Sequence, residues 1–227
     1  MRRINFGCGL SVGDSWINYD ASPTLRVQKL PFIGGLARRF TKPVFPRNVL
    51  YGDIIHGLPE KDCSVDVVFC SHVLEHLALS DFKKALIDIK RILKPGGIFR
   101  GVLPDLQQEV KIYLSDDQPT ACSNFMQATR LGQLNRPKGH MAIAKMLWGN
   151  KPHLWMWDYK GLANELDLAG FVDIRRAAFQ DSTDAAFGEI EDQRRWDGCL
   201  GFECRKSATE KNIESQIHAE QSQIRQP

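Results

Sequence analysis

Two glycines flank a cysteine at Gly7-Cys8-Gly9, directly after the apolar run Arg3 to Phe6, and an acid, Asp20, closes the next apolar run. A turn without side-chain bulk lets backbone N–H groups approach a ligand closely. A carboxylate at the tip of the neighbouring strand can accept hydrogen bonds from a ribose diol, as in nucleotide-binding α/β sheets. A second acid, Asp53, follows a third apolar stretch. Imidazoles suited to proton transfer stand at His72, His76, His140 and His153, with Glu75 beside the first two. His72 falls nearest the end of a buried strand, where an α/β active face lies. His153 with Asp158 offers a His–carboxylate pair, or an ordinary histidine beside a helix cap. His72 and His76 stand four apart, but no C-x-x-C pair or H-E-x-x-H signature accompanies them, so no metal site is expected.

The elements that must carry these residues alternate. Strands are expected at Arg3–Phe6, Trp16–Tyr19 and Asn48–Tyr51. Val65–Cys70 is a nearly continuous apolar run, as in a parallel strand buried on both faces. The clearest helix is Asp81–Leu93, with Ser80 as its cap and Phe82, Ala85, Leu86, Ile89 and Ile92 on one face. Lys94-Pro95-Gly96-Gly97 stops it. A fifth strand is expected at Ile98–Leu103. Helices follow near Gln107–Leu114, Thr120–Leu131 and Lys138–Leu147. Tyr159–Ala169 is a further helix, capped by Asp158 and closed by Gly170. Strands at Phe171–Phe179 and Cys199–Cys204 complete the pattern. Leu10–Ser15 is too short for the helix that a parallel crossover usually needs, so the helix after the glycine turn is missing or reduced.

The reading is therefore one α/β domain over residues 1–206, with a helical insertion at 106–158 covering the acceptor. A polar, disordered tail over 207–227 follows it. From Ala21 to Gly52 no acid occurs, while Arg26, Lys29, Arg38, Arg39, Lys42 and Arg47 are basic and interleaved with Leu25, Val27, Leu30, Phe32, Ile33, Leu36 and Phe40. Pro31 and Gly34-Gly35 argue for a broken helix. Its basic side either is solvated or meets an anionic substrate or a membrane surface. Trp148, Trp155 and Trp157, with Met141, Met146 and Met156, either shape an acceptor pocket or form core.

With 227 residues, 43% hydrophobic and 25% charged, the composition is that of a soluble globular chain. A net charge of +3 does not argue for nucleic acid. No apolar run spans a membrane, no secretory leader is expected, and six scattered cysteines without a C-x-x-C pair point to a reducing, cytoplasmic setting.

Four motifs in order resemble the class I S-adenosylmethionine-dependent methyltransferases. They are Asn5-Phe6-Gly7-Cys8-Gly9, Trp16-Ile17-Asn18-Tyr19-Asp20-Ala21-Ser22-Pro23, Asp66 through Leu77, and Arg91-Ile92-Leu93-Lys94-Pro95-Gly96-Gly97. Together they are similar to a small bacterial methyltransferase-domain subgroup, some members of which accompany polysaccharide biosynthesis. The resemblance implies a Rossmann-like, seven-stranded, mostly parallel sheet with helices on both faces and an antiparallel last strand. It implies S-adenosylmethionine as cofactor, held at Asn5, Gly7, Cys8 and Gly9. Asp20 would take the ribose hydroxyls, Asp53 and Ile54 would flank the adenine, and Ser71 would line the acceptor side. Two features depart from the family: Ser11 replaces a third glycine, and no helix precedes the first strand.

The leading expectation is methyl transfer to a small-molecule or saccharide hydroxyl, possible bases being His72 and His153, with an acceptor that is anionic if the basic segment serves it. RNA or protein methylation is a second reading. Ser71-His72-Val73-Leu74, where amino-methylating relatives carry Asn-Pro-Pro-aromatic, counts against it. A non-catalytic cofactor-binding module is a third, and an NAD domain a fourth, disfavoured because the turn lacks G-x-G-x-x-G.

Overall fold

The computed structural model describes residues 1–132 and 152–208. The expected helix Lys138–Leu147, His140, Met141, Met146, Trp148 and the tail fall outside the described residues, apart from the tail's first two.

Seven strands form one sheet: β1 (Arg3–Phe6), β2 (Ile17–Asp20), β3 (Val49–Tyr51), β4 (Val65–Ser71), β5 (Leu93–Pro104), β6 (Phe171–Ala177) and β7 (Cys199–Lys206). Their order is β3-β2-β1-β4-β5-β7-β6. The first five run parallel to one another, and β7 runs antiparallel between β5 and β6. The chain moves outward from β1 through β2 to β3, then returns to place β4 on the other side of β1. That reversal creates a switch point at the carboxyl ends of β1 and β4, where α/β sheets bind ligands. β4 is buried along most of its length, as its unbroken apolar run requires.

The helices are α1 (Pro23–Gln28), α2 (Gly34–Phe40), α3 (Leu79–Ile92), α4 (Leu106–Ser115), α5 (Ala121–Ala128), α6 (Tyr159–Leu168) and α7 (Gln193–Trp196). α3 buries the expected stripe of Phe82, Ala85, Leu86, Ile89 and Ile92 against one sheet face, joined there by Leu162 and Leu166 of α6. It begins before the expected position. Ala78 is its cap and Ser80 lies inside the first turn, so Ser80 does not cap it. Asp158 does cap α6, accepting from Gly161 N at 2.8 Å. The basic segment breaks into α1 and α2 around Pro31, and the glycine pair opens α2 instead of separating the two helices.

No helix joins β1 to β2. The loop from Gly7 to Trp16 is held by two buried amides. Asn5 Nδ2 donates to Ser11 O at 2.8 Å, and Asn18 Nδ2 donates to Gly13 O and Trp16 O, both at 3.0 Å. The sheet face that a helix would cover is filled instead from far along the chain. Phe187, Ile190 and Trp196 pack there against Trp16, Phe69 and Val102. Ser15 and Trp16 Nε1 bond to Glu189 and the Ala186 carbonyl.

Candidate functional site

β1 and β2 place the glycine turn beside Asp20. The Asp20 carboxylate is 9% exposed; Oδ2 accepts from Gly9 N at 2.9 Å and Oδ1 from Ser22 N at 2.8 Å. Each oxygen keeps a further lone pair for a ligand hydroxyl. Gly7 and Gly9 both have left-handed backbones, with φ of +62° and +55°. A Cβ on Gly7 would collide with Val73, whereas one on Gly9 would meet none of the described residues within 4 Å. Gly7 is therefore demanded by packing, and Gly9 opens onto free space. Burial, then the nearby Asp20, pushes the Cys8 thiol up to about 12, so it stays protonated and contributes only its backbone.

Gly52 N donates to the Asp20 carbonyl at 3.2 Å, which brings the end of β3 alongside. Asp53 follows; its Oδ1 accepts from Ile55 N at 3.0 Å and its Oδ2 lies 3.0 Å from His56 Nδ1. Ile54 is buried in the core beneath this turn. Asn5 is also buried, and its amide is committed to Ser11 and Asn18.

A narrow cleft lies at the switch point, where Ser11, Phe69 and Ile190 meet the glycine turn. Arg195 of α7 reaches into it. Its Nε donates to Ser71 Oγ at 2.7 Å and its Nη2 to Ser71 O at 2.8 Å. Among the described residues Arg195 forms no ion pair with a carboxylate, and burial lowers its pKa from the ordinary arginine value. The sequence reading missed this cation. Its only signal is the cationic pair before Trp196, in a stretch with no strand or helix periodicity. Asn18 was missed as well, although a polar residue in a buried strand position is a legible sign.

His72 sits at the carboxyl end of β4 with φ +53°. Its Nδ1 lies 3.3 Å from Glu75 Oε1 and its Nε2 3.0 Å from the Arg195 carbonyl. Burial opposes a charge on this ring. The Cys199 thiol, Glu75 and the Arg195 carbonyl outweigh it and raise the pKa to about 9. Both ring nitrogens face acceptors, so His72 is set up as an imidazolium at neutral pH and not as a proton acceptor.

Beyond it, the turn Leu74–His76 meets the segment that leads into α6. Leu154 N and Trp155 N donate to the Glu75 carbonyl at 2.7 and 3.2 Å. The His76 and His153 rings stand 5.0 Å apart, edge to face. Burial lowers the His153 pKa, although Glu75 works the other way. His153 therefore stands with His76 and Glu75, and of the two readings offered for His153 and Asp158 the helix cap is the one that Asp158 makes. Trp157 and Met156 are buried core, Trp157 stacking 4.4 Å from Phe82, while Trp155 is half-exposed.

Residues 6–100 match the family model of a methyltransferase domain. The "Probable methyltransferase ltbC" of Aspergillus luteorubrus is 41% identical over 56 residues, 23% of this chain and 20% of that protein. The chain thus spans about a fifth of that curated relative. The methyltransferase solved with the Haloferax volcanii Trm112 methyltransferase activator has a TM-score of 0.49 at 18% identity, over 91% of this chain and 82% of that one. A methyltransferase from Archaeoglobus fulgidus has a TM-score of 0.48 at 16% identity, over 90% and 86%. No helix among the described residues is long and apolar enough to cross a membrane.

Proposed function

On the premise that residues 6–100 carry a class I S-adenosylmethionine-dependent methyltransferase domain, we propose that the protein transfers a methyl group to a hydroxyl oxygen of a small-molecule or saccharide acceptor. The observation that carries the reading is the Asp20 carboxylate held 2.9 Å from Gly9 N, beside open space at Gly9. S-adenosylmethionine supplies a methyl already activated by a sulfonium, and the residues at the switch point fit it. Asp20 holds the ribose hydroxyls, and Asp53 accepts from the adenine amino group above buried Ile54. Gly7, Cys8 and Gly9 present backbone to the methionine part, with Ser71 at the far wall. Asn5 shapes the loop and does not touch the cofactor. Arg195, a cation with no acid of its own among the described residues, meets the methionine carboxylate.

The protein's task is then alignment of the acceptor oxygen with the methyl carbon, and proximity supplies most of the rate. His72, protonated and held at both nitrogens, is not the base; it balances buried Glu75. The acceptor approaches past α1 and α2, which expose Phe32, Ile33, Leu36 and Phe40 next to Arg38 and Arg39. An anionic acceptor with an apolar portion, of the kind met in polysaccharide biosynthesis in the cytoplasm, fits that edge. Calorimetry with S-adenosylmethionine, its demethylated product and NAD tests the reading: binding of the first two and not of NAD is expected, and binding of neither sulfur compound overturns it.

A further inference from the structure

Glu75 is 0% exposed, yet neither of its carboxylate oxygens accepts a hydrogen bond from any described residue. The nearby His72 Nδ1, 3.3 Å from Oε1, lies in ion-pair range without meeting a directed hydrogen bond. His72 offsets charge on one side of this carboxylate, but neither oxygen is satisfied by a hydrogen bond, and buried polar groups of this kind call for a further partner. Two histidines face it. The atoms that Glu75, His76 and His153 could offer all lie within 4.8 Å of one another. From these observations we propose that Glu75, His76 and His153 bind a divalent first-row transition ion such as zinc.

The donor chemistry is specific. Two imidazole nitrogens and one carboxylate oxygen form a ligand set that zinc accepts, with a fourth position left for water. The His76 ring is already sorted for it, while the His153 ring also meets the Thr129 backbone. His76 Nδ1 lies 3.2 Å from the Pro152 carbonyl and His153 Nδ1 lies 3.3 Å from Met156 Sδ. A histidine that donates from Nδ1 to a carbonyl presents its Nε2 lone pair outward, which is how outer-shell partners orient a metal ligand. Bound at about 2.1 Å, tetrahedral ligand atoms would stand roughly 3.4 Å apart, so atoms now within 4.8 Å of one another need to close by at most about 1.4 Å. The backbone already joins the two segments through the Glu75 carbonyl. Spacing rules could not reveal the cluster, because Glu75 and His76 are neighbours and His153 arrives from a separate segment across the fold.

The ion would cross-link the turn after β4 to the segment before α6, so its binding is readable without any catalytic assay. Tag-free full-length protein is stripped with a chelator, then titrated with cobalt(II) followed by visible absorption, and with zinc in competition against a chromophoric chelator. One equivalent is expected, with the intense visible bands of four-coordinate cobalt and a higher melting temperature in zinc. Glu75→Gln and His153→Ala should each abolish binding with an unchanged far-ultraviolet circular dichroism spectrum, while Cys63→Ser and Cys122→Ser, at exposed thiols, should leave it intact. If either ligand variant fails to fold, the wild-type stoichiometry and cobalt spectrum decide. Stripped wild-type protein that takes up no cobalt at micromolar concentration, or that keeps full affinity in both ligand variants, overturns the proposal.

Discussion

Asn5 Nδ2 lies 3.3 Å from Asn18 Oδ1, and between them these two buried amides hold the link that replaces a helix. Asn18 answers the Trp16 carbonyl and the Gly13 N–H, and shares the Gly13 carbonyl with Trp16 N. Replacing it with leucine keeps the volume and takes these partners from the buried Gly13 N–H and Trp16 carbonyl, each loss costing about 1–3 kcal/mol. Asn18→Leu should lower unfolding free energy by about 2–4 kcal/mol in urea titrations. A loss under about 1 kcal/mol would show that the loop is held by its packing on Ile190 instead.

Asp20 joins this loop to the proposed cofactor. Asp20→Ala removes a charged acceptor for the ribose diol, and should weaken S-adenosylmethionine binding by about 1–3 kcal/mol in calorimetry. Unchanged binding in a folded variant would remove Asp20 from the site.

Arg195 allows a sharper separation. Arg195→Met keeps the length and removes the cation. Binding of the demethylated cofactor should fall about tenfold or more, the scale of a charge-assisted hydrogen bond. Methylthioadenosine, which has the ribose and adenine but no carboxylate, should bind the variant and the wild type alike. An equal loss for both ligands would mean that Arg195 only braces Ser71.

How much of this was legible in the sequence follows from range. β1, β4, α3 and α6 are local patterns, an apolar run or a 3.6-residue stripe with punctuation, and each formed within a residue or two of its expected place. Asp20 and Gly9 were legible for the same reason: strand, turn and acid lie within one short stretch. Arg195, the meeting of His153 with His76 and the filling of the helix-less face by Phe187 and Ile190 were not, because those contacts join distant segments. His72 was legible in place and not in state. Nothing in Ser71-His72-Val73 tells that the Arg195 carbonyl and Glu75 would claim both ring nitrogens.

Arg100 is fully buried, with Glu191 at 2.7 Å, Asp181 at 2.8 Å and Glu203 at 3.2 Å, and its guanidinium lies 4.6 Å from the Trp196 ring. Trp196 follows Arg195, so this network also positions the cation of the cleft. Although burial opposes its charge, hydrogen bonds from Arg175, the Ala178 backbone and Arg100 hold Asp181 down at about 2, against an ordinary 3.8. A depressed carboxylate stabilises the fold above the ordinary value, and that stability is lost as pH falls toward about 2. The melting temperature should therefore drop through that acid window, and Asp181→Asn should flatten the drop while lowering stability at neutral pH. An identical acid slope in the variant would assign the transition to other carboxylates. Arg100→Met, which takes the cation from buried Glu191 and leaves Glu203 to Arg175, should cost about 3–5 kcal/mol.

The acceptor edge can be tested apart from the cofactor. Phe32 is wholly exposed and Phe40 80% exposed, and between them stand Arg38 and Arg39 with no acid from Ala21 to Gly52. Isolated exposed apolar residues are common, but a cluster rimmed by one sign of charge marks a contact surface. Once an acceptor is in hand, Arg38→Glu with Arg39→Glu should raise its Michaelis constant, leave cofactor affinity unchanged, and abolish the dependence of that constant on salt. Phe32→Ser with Phe40→Ser should raise the same constant without changing its salt dependence, because it removes apolar contact and keeps the charge. Equal losses in acceptor and cofactor binding would mean that α1 and α2 brace the Asp20 turn, and no loss in either pair would make the edge a solvated surface.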